Sequence, residues 1–205
     1  MNDVARAAGV GLKTVSRVVN DEPGVQEATA ERVRTAIEQL GYRRNDGARV
    51  LRRGRTASIG LVIEDVADPF YSELTRAVEE VARQRESLVF AGSSDENPQR
   101  ERELVLTFCA RRVDGLVVVP AGTSHRYLLP EMSAGIAAVF VDRPPGDIIA
   151  DTVLCANAPG AETGVRHLLN HGHRRIAFIG DAPDIFTAAA RLEGYRAAFS
   201  KAGHT

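Results

Sequence analysis

Cysteine is scarce: the 205 residues hold two, Cys109 and Cys155. They form no CxxC pair, and two thiols give no disulfide framework. A secreted, disulfide-stapled scaffold is therefore excluded and a reducing compartment, the cytoplasm, is expected. Both thiols are expected to be buried as small apolar side chains. No apolar run approaches the ~20 residues that span a bilayer, and the amino terminus lacks the apolar core of a secretion signal. Catalytic order is missing as well, since no Ser/His/Asp series and no paired carboxylates stand at a diagnostic spacing. His167, His171 and His173 offer an H-x3-H pair on a helix, yet no third ligand accompanies it. Gly9 to Thr14 looks like a phosphate loop until Leu12 is seen to separate Gly11 from Lys13, with no strand before it. No enzyme activity, cofactor or metal site is expected.

What is present is an ordinary globular composition, 44% hydrophobic and 26% charged, in a length that suits one large or two small domains. The net charge of −1 is unevenly spread. Residues 1–56 carry 11 Lys/Arg and 7 Asp/Glu, a net +4, which leaves −5 for the remainder. A basic head on an acidic body suggests that only the head meets a polyanion.

The head has the pattern for it. Asp3 to Asn20, DVARAAGVGLKTVSRVVN, reads as a short alanine-rich helix, a glycine turn and a second helix. Val4 and Ala8 line one side of the first helix, Gly9 supplies the tight turn, and Val10 can plug the angle between the two. On the second helix Lys13, Ser16 and Arg17 fall at i, i+3 and i+4 and share one face, while Val15, Val18 and Val19 take the other. A third helix, Glu27 to Leu40, closes the core with Val33, Ile37 and Leu40. This is the binary pattern of a helix-turn-helix, whose second helix enters the major groove of duplex DNA. There Lys13 and Arg17 could donate to guanine, at about 1–3 kcal/mol for a well-formed contact.

Between Tyr42 and Thr56 lie six arginines and one acid. The plain reading is a flexible basic linker. Asn45 could also cap a short helix carrying Ala48, Val50 and Leu51. A leucine flanked by Arg49 and Arg52 has the makings of a minor-groove wedge. From Ser58 onward SIGLVI, LVFAG, GLVVVP, AAVFV and IAFIG alternate with helical patterns through Leu74, Val78 and Val81, and through Leu104, Val105 and Phe108. These are expected to be buried parallel strands with crossover helices, an α/β body. Ligands of such sheets sit beyond the carboxyl ends of the strands. That directs attention to Asp65, Asp68, Phe70 and Tyr71, to Ser94 and Asp95, and to Asp142 and Arg143, which would suit a polyhydroxylated or heterocyclic small molecule.

Taken together, DVARAAGV, TVSRVVN, AIEQLGY, the N-x-x-A-R-x-L pattern from Asn45 to Leu51, DPFY, RRVDGLVV, VFVDRP, HLLNHGHRRIAFIG and R-x-x-G-Y at Arg191 to Tyr195 resemble the LacI/GalR family of bacterial transcription regulators, in order along the whole chain. The resemblance implies an all-α helix-turn-helix head over 1–42 and a hinge helix or linker over 43–57. It also implies an α/β, periplasmic-binding-protein-like body with a parallel sheet, its first lobe over 58–156 and the start of an incomplete second lobe over 157–205. Family members continue beyond this point, so the chain is expected to be a fragment of a longer product or a shortened protein. By the same resemblance Leu12, Lys13, Ser16 and Arg17 meet DNA bases, and Asn45, Ala48, Leu51 and Arg52 form the hinge contacts. Phe70, Tyr71, Asp142 and Arg191 would line an effector cleft. The implied partners are a palindromic double-stranded DNA operator, a sugar or related metabolite, and a second copy of the chain in a homodimer. The implied function is a sequence-specific regulator, a repressor, under small-molecule control. The alternative is a sugar-binding module whose DNA recognition is lost or impaired. Gly11 departs from the pattern, standing where the family usually has a capping serine or threonine.

Overall fold

The structure, a computed structural model, describes residues 1–42 and 56–203. The chain divides into two compact units, 1–54 and 55–205. In the first unit α1 (Asn2–Ala8) stops at Gly9, whose φ of 62° is left-handed and lets its N–H turn back to the carbonyls of Ala5 and Arg6. Glycine takes that conformation without the Cβ clash other residues meet. α2 (Leu12–Val19) and α3 (Glu27–Gln39) follow. Val4, Ala8, Val15, Val33 and Ala36 form the buried core, with Val10, Val18, Val19, Ile37 and Tyr42 packed against it. Leu40 was expected in this core but is half exposed. It is the residue at which α3 ends, so the helical period no longer points it inward.

The second unit carries a five-stranded, all-parallel sheet in the order β2-β1-β3-β4-β5. The strands are β1 (Ser58–Ile63), β2 (Leu88–Ser93), β3 (Gly115–Val118), β4 (Ala137–Val141) and β5 (Asp151–Val153). α4 (Pro69–Gln84) connects β1 to β2, and α5 (Pro98–Ala110) connects β2 to β3. A 3-10 turn (Arg126–Leu128) and α6 (Leu129–Ser133) lead to β4. Both crossover helices begin as their sequences dictate. Asp68 and Asn97 accept the first free N–H groups, and Pro69 and Pro98 occupy the opening turn where no donor is needed.

Alternation along the strands splits the core into two layers. Val62, Leu116, Val118, Ala138 and Phe140 pack with Val105, Phe108 and Leu128 on one face. Leu61, Ile63 and Val119 pack with Tyr71, Leu74 and Val78 on the other. Cys109 is buried in the first layer, where burial pushes its thiol up to about 11. Cys155, expected to be buried, is exposed.

Three strand expectations change. IAFIG, residues 176–180, is not a strand, and Ile179 is 96% exposed. Among the described residues no strand lies beside it, and a parallel strand without a ladder partner has no hydrogen bonds to form. β5, which the sequence pattern did not suggest, takes the sheet edge instead, with all three of its residues exposed. β2 was expected to be buried. It has β1 as its one neighbour, and Leu88 and Phe90 are exposed. The chain ends in two packed helices, α7 (Asn157–Asn170) and α8 (Phe186–Lys201).

Candidate functional site

Two surfaces carry the expected residues. On α2, Leu12 and Lys13 are exposed and Ser16 and Arg17 half-buried, while Val15 faces the core. The Ser16 hydroxyl accepts from Asn20 Nδ2 at 3.2 Å. Lys13, Thr14 and Arg17 share an open recess of about 270 Å³ with Gly24, Gln26 and Thr29. Thr14, Gln26 and Thr29 were not anticipated, because Gln26 and Thr29 reach this face only through the packing of α3 on α2. The hinge residues Asn45, Ala48, Leu51 and Arg52 lie outside the described residues.

On the body, the carboxyl ends of the strands converge on one guanidinium. Arg143 Nη2 donates to Glu64 Oε2 and to Glu96 Oε1, both at 2.8 Å, and Nη1 donates to the Pro120 carbonyl at 3.2 Å. Asp142 Oδ2 lies 3.9 Å from Nε. Burial opposes the Arg143 charge, but the Glu96 and Glu64 carboxylates outweigh it and hold the group firmly protonated. Burial raises the Glu64 carboxyl above its usual range, opposed by the Tyr71 hydroxyl, which donates to Oε2 at 2.9 Å. That hydroxyl is in turn pushed up by burial and by Glu64.

Asp142 follows β4 with a φ of 69°. A left-handed non-glycine residue costs of order 1–3 kcal/mol and tends to mark a functional site. Its side chain is buried, and burial raises its carboxyl against the charges of Arg143 and Arg191. Arg191, on α8, donates from Nε to Asn157 Oδ1 at 2.9 Å. Phe70 meets the Tyr71 ring edge-on at 5.1 Å and stays half exposed.

Beside this network lies a cleft of about 410 Å³, lined among others by Glu96, Ala121, Arg143, Asp184 and Phe186. Tyr71 and Asp142 are joined to it through Glu64 and Arg143, and none of Phe70, Tyr71, Asp142 and Arg191 forms its wall. That wall was expected of those four. Glu64 and Glu96 were not anticipated, and their one local signal is a place after a strand. The Glu96 and Asp184 carboxylates and the Arg143 guanidinium in the wall of a cleft of this size offer acceptors and donors suited to a hydroxyl-rich small molecule. Of the histidines, the His167 and His171 rings lie 4.3 Å apart, tilted by 42°, and His171 Nδ1 is engaged by the His167 carbonyl at 2.9 Å. Among the described residues no group of three His, Cys, Asp or Glu could hold a metal ion. Among them, too, no helix is long and apolar enough to cross a membrane.

The family model for "Bacterial regulatory proteins, lacI family" matches residues 1–45. That for "Periplasmic binding proteins and sugar binding domain of LacI family" matches residues 56–205. The chain belongs to the lacI family. It is similar to the HTH-type transcriptional regulator GalR of Escherichia coli K12, 34% identical over 212 residues that cover 99% of this chain and 59% of GalR. It is also similar to the ribose operon repressor of the same strain, 36% identical over 205 residues covering 99% of this chain and 62% of that one. Among solved structures, the lac repressor dimer bound to operator and the anti-inducer ONPF superposes with a TM-score of 0.84 at 27% identity, over 99% of this chain and 62% of that one. The chain thus spans about three fifths of these lacI-family relatives. These relatives are transcriptional regulators, and the helical head and parallel α/β body are the fold they share.

Proposed function

We propose that this chain belongs to a sequence-specific DNA-binding repressor whose hold on its operator is set by a sugar or related metabolite. The observation that carries the reading is the pairing, in one chain, of a three-helix head with Lys13 and Arg17 on its outer face and a family sensor body with a polar cleft at its strand ends. In the head, Leu12, Lys13, Ser16 and Arg17 meet base edges in the major groove, with phosphate contacts fixing the register. Asn45, Ala48, Leu51 and Arg52 then make the hinge contacts to the minor groove at the centre of a palindrome, each half read by one copy of a homodimer.

In the body the effector rests in the cleft against Arg143, Glu96 and Phe186, and Phe70, Tyr71, Asp142 and Arg191, which stand outside that wall in this structure, reach it from the adjoining network. The lac repressor with ONPF and the regulator CelR with cellobiose were solved as ligand complexes, which supports a sugar-like ligand here. The protein acts without catalysis and in the cytoplasm, where its DNA is. Selection of bound sequences from a randomised duplex pool tests the reading. Enrichment of a palindrome, with affinity falling steeply as salt rises, is expected. Recovery of no preferred sequence would overturn it.

A further inference from the structure

Behind the cleft, and not part of its lining, lies a fully buried carboxylate and imidazole. Glu101 stands in the first turn of α5 and is 1% exposed, and His125 is 0% exposed. Glu101 Oε2 accepts the Ala121 N–H at 2.6 Å, and Oε1 accepts the Tyr127 hydroxyl. His125 Nε2 lies 3.0 Å from Oε1, near enough for an ion pair though not aligned as a hydrogen bond. The other ring nitrogen, Nδ1, is 2.6 Å from the Pro145 carbonyl. A carbonyl can only accept, so Nδ1 carries a proton. A bare lone pair on Nε2 facing a carboxylate at close range would repel it, so a proton lies between them, and the two donors already bonded to the carboxyl, Ala121 N–H and the Tyr127 hydroxyl, favour carboxylate and imidazolium.

These contacts tie together two of the loops that line the cleft, those after β3 and β4. Ala121, held by Glu101, belongs to the wall formed by Pro120 to Thr123, and Pro145, held by His125, lies between the lining residues Pro144 and Gly146. The two loops also touch directly. A Cβ on Gly146 would stand 1.9 Å from the Thr123 carbonyl, and Asp147 accepts from the His125 N–H and the Ser124 hydroxyl.

We propose that Glu101 and His125 are positioning residues of the effector cleft: a buried imidazolium–carboxylate pair that pins these two loops in register and releases them when the charge pair is lost. The proposal rests on the cleft being the ligand site. The charged groups around the pair fit it. Tyr127 donates to Glu101 with Arg102 lying over its ring, Asp147 faces the loop with Arg126 on its outer side, Cys109 is near Tyr127, and Phe140 closes the pocket edge-on. Burial opposes the His125 charge, yet Glu101 raises its pKa, and the same bonds lower that of Glu101 against its own burial. A raised histidine stabilises the fold fully below its unfolded pKa and loses that contribution as pH rises through the folded value. A lowered carboxylate loses its contribution as pH falls through its folded value. The loops are therefore pinned between the lowered Glu101 value and the raised His125 value, and loosened beyond either.

Hydrogen exchange on the full chain tests this without any effector, with rates corrected for the intrinsic effect of pH. In the wild type, protection of segments 119–125 and 143–148 should fall as His125 titrates on the alkaline side, while β1 keeps its protection. In Glu101→Gln the same two segments should exchange at least about tenfold faster at pH 7, equivalent to one charge-assisted hydrogen bond. The His125 pKa followed by NMR should drop in that variant. Unchanged protection, a loss spread evenly over the sheet, or a neutral His125 at pH 7 in the wild type would each overturn the proposal. The wild-type titration stands even if the variant does not fold. Absence of sugar binding would instead count against the cleft as ligand site and leave the pinning result intact.

Discussion

Two glycines on the paired helices α7 and α8 should respond to the same substitution with opposite sign. A Cβ built on Gly194 would lie 2.1 Å from the Ala158 carbonyl oxygen and 2.9 Å from its carbon. These are backbone atoms, so no rotamer change relieves the contact, and restoring an ordinary separation requires the helices to part by more than 1 Å. Overpacking of this kind costs about 1–3 kcal/mol. Replacing glycine by alanine within a helix returns about 1 kcal/mol. Because backbone atoms are struck, the contact should win, leaving Gly194→Ala less stable by up to about 2 kcal/mol, a fall in Tm of up to about 8 °C for a unit of this size. Gly164, on α7, has nothing within 4 Å of the same built atom. Gly164→Ala should keep the helix-propensity gain of up to about 1 kcal/mol and raise Tm by about 2–4 °C.

The crossing at Gly194 also has a local readout. Ala158 follows Asn157, and Gly194 lies one turn beyond Arg191, so parting the helices there should break the 2.9 Å bond between Arg191 and Asn157. Urea unfolding and thermal melting of the purified chain decide the matter, with the Arg191 Nε signal followed by NMR. If Gly194→Ala proved as stable as the wild type, or if both alanines shifted stability in the same direction, the close approach of the helices would be wrong.

Other consequences are simpler. Lys13→Ala and Arg17→Ala should each weaken specific binding to a selected duplex by about 1–3 kcal/mol, and the double variant should lose sequence preference while the salt dependence carried by the phosphate contacts remains; unchanged affinity in an anisotropy titration would remove both from the interface. Val33→Ala, at a position 0% exposed in a small core, should cost the head about 2 kcal/mol, so that its helices melt before the sheet in a thermal series followed by NMR. Tyr71→Phe removes the donor to Glu64. That carboxyl, already raised by burial, should climb further and remain protonated to higher pH in a carboxyl titration, and no change would mean that the hydroxyl does not bond it.

Local rules made most of the framework readable. Period 3.6 in the head, short apolar runs bounded by glycine or acid in the body, and Asp-Pro and Asn-Pro at two helix starts all act within a few residues, and the structure follows them. Failures came where a neighbour decides the outcome. IAFIG has the composition of a strand but no partner beside it, and Leu88 and Phe90 are strand residues at an edge. Leu40 continues the apolar period of α3 past the point where the helix stops. The Arg143 network was invisible for the same reason. Glu64 and Glu96 reach it across 79 and 47 residues of sequence, and no local spacing encodes such a meeting.

Topology nevertheless explains where that meeting occurs. In the order β2-β1-β3-β4 the connections run outward one way from β1 to β2 and the other way from β3 to β4, so the crossover helices part company between β1 and β3. A crevice opens beyond the strand ends at such a switch point. Glu64 follows β1 and Pro120 follows β3, and Arg143, coming from β4, bonds to both. Being parallel, the strands bring all their carboxyl ends to one edge, and chain reversal between them leaves a gap in the covering layer. A partly buried guanidinium fills the floor of that gap, with the carboxylates after β1 and β2 offsetting its desolvation. Placement of the polar cleft is thus a property of the fold, whereas its chemistry resides in the few loop residues that the fold brings to that edge.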